Sequence, residues 1–339
     1  MRRLAAFGFG VAFAGSRAFG AIVALVVFVA FAALVALSAF SAGCSKGEAF
    51  SDAPPAHPPG VCPVCKDPKS HGTLLSRELT ETSGLVVSEI HADVVYAHND
   101  SGDGPRFYAM TRTGGYLGAF EVTGAKAFDW EDMARGPCPS GSCLFLADTG
   151  DNQRQRSGYV IYRVPEPPSL LSEARSITPD PLPFVYPDGL HDAEALLLHP
   201  VTGVVTIVTK VRSGMASIFE LPMPLKPGET VTLIAAGKVK PPRGISLITS
   251  GAVHPRAKGV LLRTYTNAFY YPMGPDQTVA QALTGPACEV PNADEQQGES
   301  IAWLKSGTGY MTVSEGLGSD IHVVECEPLP GWATAKGAP

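Results

Sequence analysis

Beyond residue 73 the chain alternates short apolar runs with polar, Gly- and Pro-rich breaks. No stretch there sustains the spacing of a useful amphipathic helix, so the pattern predicts strands and turns. Five runs begin alike, with an oxygen-bearing side chain, a small or polar residue, then apolar residues ending near a turn. They start at Ser83, Glu131, Glu194, Ser250 and Glu299, spaced 48, 63, 56 and 49 residues apart. A recurrence of that length marks propeller blades or a solenoid.

Aligned on this period, each unit predicts an inner strand (84–88, 132–135, 195–199, 251–254, 300–304) and a second strand (94–98, 144–147, 204–209, 260–264, 310–313). A third ends at prolines (160–164, 217–221, 268–271, 321–326), which cannot donate to a ladder. Fourth strands are expected at 117–122, 183–186, 231–236 and 279–283. The fifth unit runs out of chain, and residues 74–79, ahead of the first repeat, supply its missing strand. Borrowing that strand closes a ring and removes an open edge. The fold expected is an all-β, five-bladed β-propeller over about 73–330, closed by an N-terminal strand and followed by a tail at 331–339. A sixth blade would need another copy of the motif within 132–193, and none is found.

The N-terminus follows a different pattern. Met1-Arg2-Arg3 is positive, Arg17 follows, and residues 18–43 carry no charge over 26 positions. The run ends in Phe-Ser-Ala42-Gly43-Cys44, which resembles a bacterial lipoprotein cleavage box with Cys44 as the lipidated residue, although Ser41 stands where Leu is usual. An uncleaved membrane-spanning helix and a plain cleaved signal are the alternatives. All three place the rest of the chain outside the cytoplasm, tied to a membrane in the first two cases. Residues 1–43 are thus read as signal or anchor, and 44–72, rich in Pro, Ser and Ala, as lipidated cysteine and tether.

Six further cysteines, Cys62, Cys65, Cys138, Cys143, Cys288 and Cys326, suit an exported, disulfide-bonded chain. Cys138 and Cys143 flank a tight loop. Cys62–Cys65 and Cys288–Cys326 are the remaining simple pairs, but spacing does not choose among the pairings. Cys62-Pro-Val-Cys65 also has the form of half a zinc site or a redox pair, without a second ligand pair. The net charge of −6 comes with no basic stripe, which argues against nucleic acid as a partner. A monomer is expected.

In a propeller the first strand of each blade lines the central channel. Ser83, Glu131, Glu194, Ser250 and Glu299 would then face one another across the axis. Three carboxylates in a partly dry channel repel one another and must take up protons or a cation. An all-oxygen donor set suits a hard ion, and Ca²⁺ tolerates loose geometry better than Mg²⁺. A hydrated funnel, or acids that bind backbone N–H groups, is the competing reading. Loops between second and third strands lie over these oxygens and carry the candidates for chemistry. Asp100 or Asp151 would orient or deprotonate a water. Arg154, Arg156, Lys210 and Arg263 would clamp an anion, or merely neutralise neighbouring acids. The chain has no Gly-X-Ser-X-Gly elbow, no Walker loop and no His-Glu-X-X-His. A carboxylate-pair glycosidase would bring more aromatic platforms than the three Trp present.

The Ser, Glu, Glu, Ser, Glu order of the blade starts resembles the calcium-activated nucleotidases (apyrases), as does the acidic loop Asn99-Asp100-Ser-Gly-Asp103. That resemblance implies a five-bladed propeller with Ca²⁺ held by Ser83, Glu131, Glu194, Ser250 and Glu299. The chain is also similar to bacterial phytase-like and esterase-like propeller proteins, which share the Asp-Ala-Glu-Ala-Leu type of blade start. The function expected is a Ca²⁺-dependent hydrolase of phosphate esters or anhydrides, with Asp100 as base and Lys210 and Arg263 as anion clamp on a small anionic substrate. The rival is a non-catalytic envelope propeller with a structural cation.

Overall fold

The computed structural model describes residues 62–170, 175–244 and 246–328. The export segment, Cys44, most of the linker and the tail lie outside the described residues. Among the described residues the architecture is almost wholly β, with one five-residue helix.

The first strand in the chain is β1 (Lys69–Thr73). Blade one comprises β2 (Thr82–Val87), β3 (Val94–Asn99), β4 (Arg106–Thr111) and β5 (Tyr116–Val122). Blade two is β6 (Trp130–Cys138), β7 (Gly141–Asp148), β8 (Tyr159–Pro165) and, after the short β9 (Ser176–Ile177), β10 (Asp180–Val185). Blade three is β11 (Ala193–Leu198), β12 (Val205–Thr209), β13 (Ala216–Glu220) and, after β14 (Val231–Thr232), β15 (Ile234–Val239). Blade four is β16 (Ile248–Val253), β17 (Gly259–Thr264), β18 (Ala268–Pro272) and β19 (Cys288–Val290). Blade five is β20 (Gly298–Trp303), β21 (Gly309–Ser314) and β22 (Asp320–Glu325), completed by β1. The inner strands β2, β6, β11, β16 and β20 pack side by side into a closed ring.

The long second interval holds no sixth blade. Its extra residues lay β9 parallel to β5 as a fifth strand of blade one, and β14 does the same beside β10 in blade two. Each excursion covers the edge of the preceding blade.

Ring closure uses β1, residues 69–73, where 74–79 was expected. It pairs antiparallel with β22, from Lys69 opposite Val323 to Thr73 opposite Asp320. Leu74 and Leu79 are buried between blades one and five, against Tyr108, Met110 and Val313. The apolar residues plug the core, and the polar Lys-Ser-His segment forms the exposed outer strand.

The cysteines around the closure pair across the ring. Cys62 joins Cys288 in blade four and Cys65 joins Cys326 at the end of blade five, so the simple pairs do not form. Cys138 and Cys143 close their own loop as expected. With all six of these cysteines in disulfides, Cys62-Pro-Val-Cys65 is a double staple.

The segment 279–283, expected as a strand, is the helix α1 (Val279–Leu283). Thr278 caps it by accepting from the Gln281 amide, while Gln281 returns a bond to the Thr278 amide. This reciprocal capping box fixes a helical start that apolar content alone does not reveal. The His-Pro turns at the far ends of two inner strands have a related cause. His199 Nδ1 accepts from the amides of Val201 and Thr202, and His254 Nδ1 accepts from that of Arg256.

Candidate metal centre in the axial channel

Every inner strand carries a β-bulge at its motif. The pairing register skips between Thr82 and Leu85, Trp130 and Met133, Ala193 and Ala195, Ile248 and Ser250, and Gly298 and Ser300. An extra residue in one strand re-aims a side chain, which is a common use of bulges beside active sites. Glu131, Glu194 and Glu299 all occupy such skipped positions.

The register also moves blade four by one residue. Ser250 pairs with Arg263 as Ala195 pairs with Val208 and Ser300 with Val313. The residue equivalent to Glu194 and Glu299 is therefore Thr249, whose Oγ1 donates to the Gly298 carbonyl. The Ser250 hydroxyl donates to Asp132 at 3.1 Å. Asp132 is fully buried and also accepts from the amides of Met133, Leu196 and Gly251. That one carboxylate ties blades two, three and four together at the axis. Burial pushes it up to about 8 in spite of its four donors.

Seven carboxylates converge above this layer. Oxygens of Asp100, Asp129 and Glu131 lie within 4.8 Å of one another, as do those of Asp100, Glu299 and Glu315, and those of Glu131, Asp192 and Glu194. Asp100 is shared by two of the three groups and Glu131 by two. Glu131 and Glu194 share one group, while Glu299 lies in another that is linked to Glu131 through Asp100. Ser83 belongs to none of these groups; its Oγ is buried and has no hydrogen-bond partner among the described residues.

Asp129, Asp192 and Glu315 were not expected. A readable signal existed for two of them. Asp129-Trp-Glu131 and Asp192-Ala-Glu194 repeat at the period of a strand, which places both acids of each pair on one face. Glu315 follows a positional rule: Asp100, Thr149, Lys210, Tyr265 and Glu315 each stand immediately after the second strand of their blade. The five loops therefore deliver one residue each over the channel mouth.

Burial and mutual repulsion raise the acids as a set. Asp100 is pushed up to about 7, first by burial and then by the charge on Asp129. Glu194 reaches about 8 by burial, which outweighs the neighbouring Lys210. Glu299 rises to about 9, by burial and through its hydrogen bond to Glu315. Glu131, the most enclosed, stands well above the carboxylate range because of burial and then Glu194. Such a cluster demands protons or cations.

One cation is built in. Lys210 Nζ forms an ion pair with Glu194 and donates to the Tyr265 hydroxyl at 2.8 Å. Arg263 is elsewhere. It is fully buried in the wall, paired with Glu295 and donating to the Ser300 carbonyl at 2.9 Å, and Gly298 is required above it because a Cβ there would meet its guanidinium at 1.6 Å. Arg154 is exposed on the rim loop, where its charge favours the ionised form of Asp192. Arg156 pairs with Asp148 at 2.7 Å.

Two of the loop acids serve the loops themselves. Asp151 accepts from the amides of Gln155 and Arg156 and from the Tyr159 hydroxyl, which together hold it below its ordinary value against burial. Asp103 likewise collects Asn99, Gly104, Arg106 and Tyr108. Asp100 differs, since its Oδ1 is buried and meets no N–H or hydroxyl donor among the described residues.

No protein-family model matches the chain, and no curated protein matches it. Among solved structures it is similar to an aldose sugar dehydrogenase from Streptomyces coelicolor in its PQQ-bound form, at 10% identity and a TM-score of 0.45, covering 81% of this chain and 100% of that one. It is also similar to a gluconolactonase from Xanthomonas campestris, at 9% identity and a TM-score of 0.43, covering 79% of this chain and 97% of the other. Similarity at this level says nothing about the chemistry of the channel.

Proposed function

We propose that the channel mouth holds a divalent cation, Ca²⁺ by the chemistry of its donors, and that the protein is a cation-dependent hydrolase of a small anionic ester, most specifically a phosphate ester or anhydride. One observation carries this: among the described residues seven carboxylates from three blade starts and two loops gather in linked groups beside Lys210, and one of their oxygens, Asp100 Oδ1, is buried with no donor from those residues facing it. The donor set fits a hard ion, being all oxygen and too numerous for an octahedral Mg²⁺ that keeps its water. Glu131, Glu194 and Glu299 would hold it, supported by Asp129, Asp192 and Glu315. Bound there, the ion would supply Lewis-acid polarisation of an ester oxygen and a lowered pKa for water.

The chain's own residues supply the rest. Asp100, half-buried with an Oδ1 that meets no donor among the described residues, is placed to take a proton from water. Lys210, held between Glu194 and Tyr265, places a positive charge at the mouth, and Arg154 adds one on the rim. Arg263, sealed in the wall, pairs with Glu295 and donates to the Ser300 carbonyl, next in the chain to Glu299.

The three disulfides support display outside the cytoplasm, with Cys44 as the lipid attachment. Loss of fatty-acyl labelling in Cys44→Ala tests the anchor. The activity is tested by turnover of nucleotides and aryl phosphates with Ca²⁺ and with chelator. Asp100→Asn should lower kcat at least about a hundredfold at saturating Ca²⁺, beyond any loss of Ca²⁺ affinity from the cluster it belongs to. A protein that binds Ca²⁺ tightly, melts lower on chelation and turns over no ester would be a scaffold with a structural cation, and the hydrolase reading would fall.

A further inference from the structure

The acids at the channel mouth do not form one ring. They fall into two terminal groups that share no residue, Asp100 with Glu299 and Glu315, and Glu131 with Asp192 and Glu194. Asp129 stands between them, and its oxygen, one of Asp100 and one of Glu131 lie within 4.8 Å of one another. Oxygens bound to one Ca²⁺ at about 2.5 Å are no more than about 5 Å apart. Each terminal group meets that limit. No such group among the described residues joins Glu299 to Glu131 or Glu194, so one ion does not reach all three blade-start glutamates.

Each terminal group also contains a carboxylate that nothing satisfies. Glu131 and Glu299 are 3% and 5% exposed. Among the described residues neither receives a hydrogen bond from an N–H or hydroxyl group. Acids surround them instead: Glu194, Asp100, Asp129 and Asp192 act on Glu131, and Glu315, Glu194 and Asp100 on Glu299. Gly150 keeps the space beside Glu131 open, since a Cβ there would meet its Oε1 at 2.1 Å. A buried carboxylate without a donor calls for a cation, and here each of two separate groups holds one. The groups differ in one respect. Lys210 already forms an ion pair with Glu194, whereas no lysine or arginine among the described residues pairs with Asp100, Glu299 or Glu315.

We propose that the channel mouth is a two-cation centre, with one Ca²⁺ on Asp100, Glu299 and Glu315 and a second on Glu131, Asp192 and Glu194. This rests on the cation reading of the mouth given above, and divides between two ions the ligands assigned there to one. Asp129 lies between the ions. The first site has no built-in cation and binds tightly; at the second, Ca²⁺ competes with Lys210 for Glu194 and binds more weakly. Binding at either site involves no covalent step.

Equilibrium dialysis of the full chain against radiolabelled Ca²⁺, after stripping with chelator, counts the ions. Two per chain are expected, in steps at least about tenfold apart in Kd. Glu315→Gln should weaken the tight step at least about a hundredfold and leave the other, and Asp192→Asn should do the reverse. Lys210→Met should tighten the weak step about tenfold and leave the tight one unchanged. Melting in chelator shows whether each variant is folded. One ion per chain in the unaltered protein, or folded variants that each abolish all binding, would overturn the two-cation proposal and leave a single-ion mouth standing. No bound Ca²⁺ at all would overturn the cation reading itself, and this proposal with it. The count in the unaltered protein decides the question even if a variant fails to fold.

Discussion

Removal of divalent cations should make this protein progressively less stable as the pH rises, the reverse of a typical salt-bridged domain. Asp100, Glu194 and Glu299 stand at about 7, 8 and 9 in the fold, against about 4 for an ordinary carboxylate. Folded values above unfolded ones mean that the native state binds more protons than the unfolded chain across this interval. The stabilisation is complete below about pH 4 and is lost as pH climbs through 7 to 9. At about 1.4 kcal/mol per pH unit, one group raised by three to four units is worth on the order of 5 kcal/mol. The groups repel one another and share protons, so their contributions do not add; about 5 kcal/mol for the set between pH 5 and pH 9 is the expectation. For a domain of this size that is a fall of roughly 10–20 °C in Tm. Calorimetry in chelator, disulfides intact, should show it. Added Ca²⁺ needs the ionised carboxylates, so its stabilisation should grow with pH, reaching about 2.7 kcal/mol at a hundred times Kd. A cation-free protein as stable at pH 9 as at pH 5, or a Ca²⁺ shift equal at both, would refute the reasoning.

Asp132→Ala should cost about 3–6 kcal/mol in chemical denaturation, because three amides and the Ser250 hydroxyl lose their buried acceptor; Asp132→Asn, which keeps one acceptor, should cost less. With Cys62–Cys288 intact, Cys65→Ser and Cys326→Ser open a loop of about 40 residues running through that second disulfide, which should lower stability by about 4 kcal/mol on the chain-entropy account, measurable as a drop in denaturation midpoint. Gly84→Ala should destabilise by about 1–3 kcal/mol, since its Cβ would meet His98 Nε2 at 2.3 Å and Met133 Cβ at 2.8 Å. Glu194→Gln should leave the ring folded but weaken Ca²⁺ binding at least tenfold by calorimetric titration, because it removes a ligand charge and unpairs Lys210.

Much of the ring was legible because a blade repeats its inner strand. Apolar runs after each motif gave the inner and second strands to within a few residues. The carboxylates Glu131, Glu194 and Glu299 were visible for the same reason. Blade four misled by similarity: Ser250-Gly251 reads like Ser83-Gly84, whereas the bulge puts Thr249 at the aligned position. A bulge is a property of pairing between strands, and the residues of one strand do not display it. The long-range disulfides were hidden for a related reason, since Cys62 and Cys65 find partners more than 200 residues away. Outer strands were weaker still, as the helix at 279–283 shows, because their side chains are fixed by caps and edges and not by a shared core face.

The clasp formed by β1 and β22 imposes an order on biosynthesis. The opening segment of the domain leaves the ribosome first, yet its hydrogen-bonding partner is the last strand to be made. Until then Leu74 and Leu79 lack their full packing, and Cys62 and Cys65 wait as free thiols beside mispairing candidates. Correct pairing of Cys62 with Cys288 and of Cys65 with Cys326 therefore waits on synthesis of the last two blades.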